Sequence, residues 1–255
     1  MTVAYDGTDF RGFQWQPAGR TVAGVLEAAL AQLFGESTRV TGAGRTDRGV
    51  HATGQVISFS TQKAFPFERL TVALNAVLPP DCSIRESALV GGDFSARFSA
   101  RERTYTYVIL NQPQRDALLA RYAYRVTRSL DIPAMRAAAA HLVGEHDFRS
   151  FVRVLPEGAT TRRVARLEVD RRDALARISI TADSFLHRMV RTIVGTLIES
   201  GSGRRDPSAM PAILAARDRS AAGDTAPPHG LYLAGVRYAD GYDSLAEPPV
   251  LQGWT

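Results

Sequence analysis

One carboxylate, Asp47, lies between two guanidiniums in Thr41-Gly42-Ala43-Gly44-Arg45-Thr46-Asp47-Arg48-Gly49-Val50-His51. An ionised carboxylate can attack an electrophilic carbon or remove a proton. An arginine beside it keeps it charged and aims it through paired hydrogen bonds. The three glycines allow a tight bend and a close approach of backbone to a ligand. The plainer alternative is a turn in which Asp47 caps its own backbone and Arg45 and Arg48 are solvated. A hairpin turn needs neither this length nor two flanking arginines, which favours a ligand-handling bend. No Gly-Lys-Ser/Thr follows, so the segment is not a nucleotide-triphosphate loop.

Two further segments carry charge where apolar residues dominate. Phe185-Leu186-His187-Arg188-Met189-Val190-Arg191-Thr192-Ile193-Val194-Gly195 reads as an apolar helix with His187, Arg188 and Arg191 in its first turns. A buried guanidinium there requires a carboxylate or phosphate partner; a solvated stripe is the equal alternative. Arg97-Phe98-Ser99-Ala100-Arg101-Glu102-Arg103-Thr104-Tyr105-Thr106-Tyr107 interleaves aromatic rings with Arg97, Arg101 and Arg103. That pattern suits stacking of an unpaired base and contact with its phosphates. For Tyr107 a core position is the better reading. A looser basic run, Arg149, Arg153, Arg162, Arg163 and Arg166, is either a nucleic-acid-facing patch or solvated charge.

The elements that must hold these groups follow from periodicity. Thr2–Tyr5 predicts a strand, and Val22, Val25, Leu26, Ala29, Leu30 and Leu33 have the spacing of an amphipathic helix ended by Gly35. Strands are expected at Arg39–Ala43, Gln55–Ser60 and Ser83–Leu89, with a helix over Phe67–Val77 stopped by Pro79-Pro80. The second half gives a strand at Thr104–Leu110 and a helix capped by Asp131 with Pro133 in its first turn. A hairpin over Arg162–Val169 and Leu175–Thr181 follows, then the helix Phe185–Ile198, a shorter helix after Pro207, and a strand at Leu231–Tyr238. Each half reads β-α-β-β-α-β. The expected fold is α+β, two ferredoxin-like (RRM-like) units forming a pseudo-symmetric antiparallel sheet with a cleft between them, divided into domains 1–102 and 103–255.

Composition narrows the partners. The 255 residues are 45% hydrophobic and 22% charged, enough to bury a core. No apolar run is long enough for a membrane helix, and the start lacks a secretory pattern, so a cytoplasmic address is expected. Cys82 is the single cysteine and the five histidines are scattered, which argues against a structural zinc site. The net charge is +5, and Lys63 is the one lysine among 31 basic residues. Residues 1–102 are formally neutral and residues 103–255 carry the whole excess. A GC-rich coding sequence explains the arginine bias most simply, but its regional placement points to a polyanionic partner.

These segments resemble the tRNA pseudouridine synthase A family. Tyr5-Asp6-Gly7-Thr8 looks like its YDG motif, and Ala43–His51 like its AGRTDxGVH signature. Arg97–Ala100 and Tyr105–Tyr107 resemble its RFSA and YxY segments. Met189–Gly195 is similar to its MVRxIVG helix, and Gly230–Leu233 to its GLYL strand. The run Gly12-Phe13-Gln14-Trp15-Gln16 departs from the family's Gly-Trp-Gln, as does Arg103-Thr104 from its double arginine. The resemblance implies isomerisation of uridine to pseudouridine at positions 38–40 of the tRNA anticodon arm by a flipped-base mechanism without cofactor, in a homodimer. It implies Asp47 as the catalytic carboxylate, with Arg45 holding or replacing the extruded uridine. Arg191 is implied to pair with Asp47, and Tyr105 to stack on the target base. Arg48, His51, Arg97, Arg101, Arg103, Arg162, Arg163 and Arg188 are the expected RNA contacts.

Overall fold

The computed structural model describes residues 1–239 and 241–252. In chain order it runs β1 (Thr2–Tyr5), α1 (Val22–Phe34), β2 (Thr41–Gly42), β3 (His51–Ser58), α2 (Phe67–Val77), β4 (Cys82–Glu86) and β5 (Ala100–Leu110). It continues with β6 (Tyr124–Arg125), α3 (Ile132–Ala140), β7 (Gly144–Asp147), β8 (Thr161–Arg172), β9 (Leu175–Ala182), α4 (Met189–Gly201), α5 (Met210–Ala216), β10 (Leu231–Tyr238) and β11 (Ser244–Leu245). The architecture is mixed α+β with mostly antiparallel strands. None of the described helices is long and apolar enough to cross a membrane.

Two compact units emerge: Met1–Arg103 with Tyr232–Pro248, and Thr104–Leu231 with the segment from Pro249. This corrects the division at 102/103, which left the last long strand in the second unit. The reason is strand pairing: β10 lies parallel to β3, with Tyr232 opposite His51 and Leu233 opposite Ala52, and β11 extends it.

In the first unit β1 is sandwiched between β3 and β4, antiparallel to both. The short β2 pairs with the far end of β3, Thr41 against Ser58 and Gly42 against Ile57. Alternation buries Val3 and Tyr5 of β1, and helix α1 turns Leu26 and Leu30 into the same core. Thr21 caps α1 by accepting from Gly24 N–H, and Gly35, at φ 68°, ends it. Residues 51–57 of β3 are all buried, so this strand is covered on both faces. The bend carrying Asp47 is therefore anchored by the most enclosed strand of its unit.

In the second unit the strand order is β5-β9-β8-β7. Ala176, Ile178, Ile180 and Ala182 of β9 alternate inward to the apolar layer that includes α3 and α4. Asp131 caps α3, accepting from Ala134 N–H at 3.0 Å. Helix α4 is buried nearly all round, as its composition requires. Gly195 lets the segment at Asp224 run against it: a Cβ there would stand 1.7 Å from the Asp224 carbonyl oxygen. The helix starts at Met189, later than the apolar run suggests. Arg188 takes a left-handed conformation at φ 60°, which interrupts the helix, so His187 and Arg188 precede it.

Candidate active site

The bend from Ala43 to Val50 is held at Ala43, Gly44, Thr46, Asp47 and Val50 from within its own unit. Ala43 N–H donates to Val56 C=O at 2.8 Å, and Ala43 C=O accepts from Arg103 Nε at 3.1 Å. The Gln55 side chain, fully buried, grips the next residue from both sides. Its Oε1 accepts from Gly44 N–H at 3.2 Å, and its Nε2 donates to Gly44 C=O at 2.7 Å. The buried Thr46 hydroxyl pairs with Tyr5 Oη at 2.8 Å, and Thr46 C=O accepts from Phe13 N–H at 3.1 Å. Asp47 C=O then accepts from Val50 N–H at 3.1 Å and closes the turn. Each such bond nets about 1 kcal/mol, and leaving one of these buried groups unpaired costs more. Gly42 belongs to the same fit, since a Cβ would meet the Phe13 ring at 2.4 Å.

The brace holds backbone and leaves charge outward. Arg45 and Arg48 are exposed and Asp47 is half-buried. A carboxylate on a rigid backbone, reachable by solvent and flanked by cations, is arranged to meet a ligand without the chain having to reorganise.

His51 is 1% exposed, which corrects its assignment as an RNA contact. Its ring stacks on Tyr232 at 4.8 Å between centroids. Its Nδ1 stands 3.0 Å from Gly7 N–H and 3.1 Å from Asp6 Oδ1. One ring nitrogen cannot accept from the first and donate to the second. Asp6 Oδ1 already accepts from the backbone and hydroxyl of Thr8, which leaves Gly7 N–H as the donor to His51 Nδ1. His51 secures the Tyr5-Asp6-Gly7 turn.

Arg103 is also committed to its own unit. Besides Ala43 it donates to Ala100 C=O at 3.2 Å and Arg97 C=O at 2.6 Å. It is a clamp between two loops, and this corrects its place among the RNA-facing residues. Arg97 and Arg101 are exposed as expected. Arg162 turns its guanidinium back onto Ala159 and Thr161 carbonyls, at 2.8 and 2.6 Å, whereas Arg163 and Arg188 are exposed.

In the second unit Arg191 is placed by the segment laid along α4. Its Nε donates to Ala226 C=O at 2.8 Å, and its own C=O accepts from Ala226 N–H at 3.0 Å. Thr196 Oγ1 accepts from Gly223 N–H at 3.0 Å one turn further on. Tyr105 is largely buried, edge-on to Phe185 at 5.1 Å. Tyr107 is a core residue whose hydroxyl donates to Pro227 C=O at 2.8 Å; burial pushes its ionisation well above the usual phenol range. The Cys82 thiol is pushed up to about 12, chiefly by burial, so it is no nucleophile. Among the described residues no three His, Cys, Asp or Glu side chains are grouped to hold a metal ion.

Gln55 and the 223–226 segment, which hold Gly44 and Arg191, lie outside the motifs that the sequence offers. Gln55 alone left a signal, as a long amide in an otherwise enclosed strand.

A family model described as tRNA pseudouridine synthase matches residues 1–99 and 138–239. Curated relatives named tRNA pseudouridine synthase A match nearly end to end. The one from Moorella thermoacetica is 47% identical over 241 residues, 93% of this chain and 98% of its own. That from Caldicellulosiruptor bescii is 44% identical over 239 residues, with the same two coverages. That from Bacillus subtilis strain 168 is 44% identical over 241 residues, 93% of this chain and 97% of its own. The chain belongs to the tRNA pseudouridine synthase A family.

Proposed function

We propose that this chain, by its family an isomerase of uridine to pseudouridine in tRNA, acts on uridines 38–40 of the anticodon arm with Asp47 as its catalytic carboxylate. The reaction breaks N1–C1′, turns the base and joins C5 to C1′. The C5 proton is lost and N1 gains one, so no group is imported and nothing is oxidised. One carboxylate suffices, whether it attacks carbon or takes a proton from the sugar. The target atoms are inaccessible in a stacked helix, so the nucleotide must be flipped out.

In this reading Arg191 steers Asp47, Tyr105 packs against the turning base, and Arg45 holds the extruded nucleotide or fills its place. Arg48, Arg97, Arg101, Arg163 and Arg188 meet phosphates. The enzyme works without cofactor, in the cytoplasm, as a homodimer. Each unit is a ferredoxin-like module; the β4-β1-β3 order with β2 on β3 supports this for the first. The observation that carries the catalytic assignment is the braced bend, which fixes the backbone from Ala43 to Thr46 and leaves the carboxylate accessible.

The test is pseudouridine formation in an unmodified tRNA transcript. Asp47→Asn is expected to fold normally and to lose product by at least a thousandfold; a variant as fast as wild type would remove Asp47 from the chemistry. Arg191→Ala should lower kcat more than it raises KM, since it disorients the carboxylate and leaves phosphate binding in place.

A further inference from the structure

We infer that Phe98 is a stacking wedge that inserts into the tRNA next to the flipped nucleotide; this rests on the function proposed above. Phe98 is 80% exposed, yet the turn that carries it is tied down by hydrogen bonds on both sides of the ring. Ala96 N–H donates to Ser58 Oγ at 3.0 Å, and Ala96 C=O accepts from Tyr238 Oη at 2.7 Å. Burial raises the Tyr238 ionisation above the normal phenol range, so the hydroxyl stays a donor. Ser99 N–H donates to Ser95 C=O at 3.0 Å, and Ser95 N–H to Ser99 Oγ at 3.0 Å. Arg103 holds Arg97 C=O. A loop tip with no task has no need of such fixing, and an apolar ring on it gains nothing from facing water.

The chemistry around the ring selects the partner. The Arg97 guanidinium carbon lies 5.2 Å from the Phe98 ring centroid. Neither Arg97 nor Arg101 has a carboxylate partner among the described residues, whereas Glu102, next to Arg101, is taken by Arg237 at 2.8 Å. An aromatic face beside unneutralised guanidiniums matches a base with its phosphates. It does not match an apolar protein surface, which would bury those charges unpaired.

Its position supplies the role. One guanidinium, that of Arg103, bonds both Arg97 C=O, which leads into Phe98, and Ala43 C=O, four residues before Asp47. The wedge and the catalytic bend are thus rigidly coupled neighbours in one unit. Removing a nucleotide from its stack exposes the face of a neighbouring base, on which an aromatic ring can stack.

The experiment compares Phe98→Ala, Phe98→Leu and Phe98→Trp in the full chain. It measures melting temperature, solution mass, and single-turnover pseudouridine formation in an unmodified tRNA transcript at saturating enzyme. Phe98→Ala should melt and sediment as wild type but react about tenfold more slowly, the scale of one lost base stack. Phe98→Trp should restore most of the rate and Phe98→Leu little of it. A wild-type rate for Phe98→Ala overturns the wedge, as does rescue by Leu equal to that by Trp. A changed mass overturns it in favour of an interface between copies. Asp47→Asn is run alongside. If it is inactive while Phe98→Ala is unimpaired, only the wedge has failed; if it retains product, the catalytic reading has failed.

Discussion

At the scale of single residues, the side chain that most merits mutation is one that touches no substrate. Gln55 both accepts from and donates to Gly44, three residues before Asp47. Gln55→Glu keeps the shape and exchanges the donor for an oxygen. Ionised, that oxygen faces the Gly44 carbonyl and repels it; protonated, it donates and restores the brace. Burial raises the introduced carboxyl above its ordinary value near 4.3. The activity of Gln55→Glu relative to wild type should therefore rise about tenfold as pH falls from 8 to 5. Gln55→Leu, which can do neither, should give a low and level ratio. Single-turnover rates across that range decide it, and a level ratio for Gln55→Glu would mean that the grip on Gly44 does not matter to catalysis.

Legibility at this scale divides by what a residue bonds to. Asp47, Arg45 and Arg48 stand out in the sequence because charge in a glycine-rich bend is unusual wherever it occurs. His51 is an expected RNA contact only through the family resemblance, and Arg103 also through the aromatic rings interleaved with arginines in its segment. Their partners are carbonyls and an amide from Gly7, Ala43, Arg97 and Ala100. Backbone groups are present at every position, so nothing in the spelling of the chain marks the ones that will be used. Phe98 is legible only as part of the Arg97–Ala100 motif, because an exposed and a buried phenylalanine read alike until the turn around it is known.

At the scale of elements, local rules carried far. Helix α2 spans the predicted residues, and the caps at Asp131 and Gly35 fall where composition put them. The failure at α4 is instructive. Its apolar run continues upstream through Phe185 and Leu186, and periodicity cannot see that Arg188 leaves the right-handed region. That conformation costs an arginine about 1–2 kcal/mol, a strain retained just before the helix that carries Arg191. Arg188→Gly should relieve it and raise stability by about 0.5–1 kcal/mol, part of the gain being lost to the freer unfolded chain. It should also weaken tRNA binding and reduce the salt slope by about one counterion, if Arg188 meets a phosphate. Urea denaturation and filter binding at several salt concentrations test both halves. A more stable variant with an unchanged slope would leave the strain without a role in binding.

At the scale of the whole molecule, the charge excess predicts how tRNA is held. Affinity for a tRNA transcript should fall by orders of magnitude between about 50 and 200 mM salt if six or more phosphates are met. A shallow slope in the same filter-binding series would shift the weight of recognition to stacking and shape. The unit boundary was the least legible feature at this scale. Leu231–Tyr238 reads as a good strand in any context, but its parallel pairing with β3 joins positions some 180 residues apart. Nothing local specifies that partner.

That pairing bears on how the protein is made. A ribosome releases β3 some 180 residues before β10, so the first unit cannot be completed until that much more chain has emerged. Until then the His51 end of β3 presents unsatisfied peptide groups along an apolar edge, the kind that recruits strands from other chains. Nascent molecules stalled before Leu231 should thus depend on holding factors or coaggregate, whereas those that have passed Pro248 should become protease-resistant in a single step.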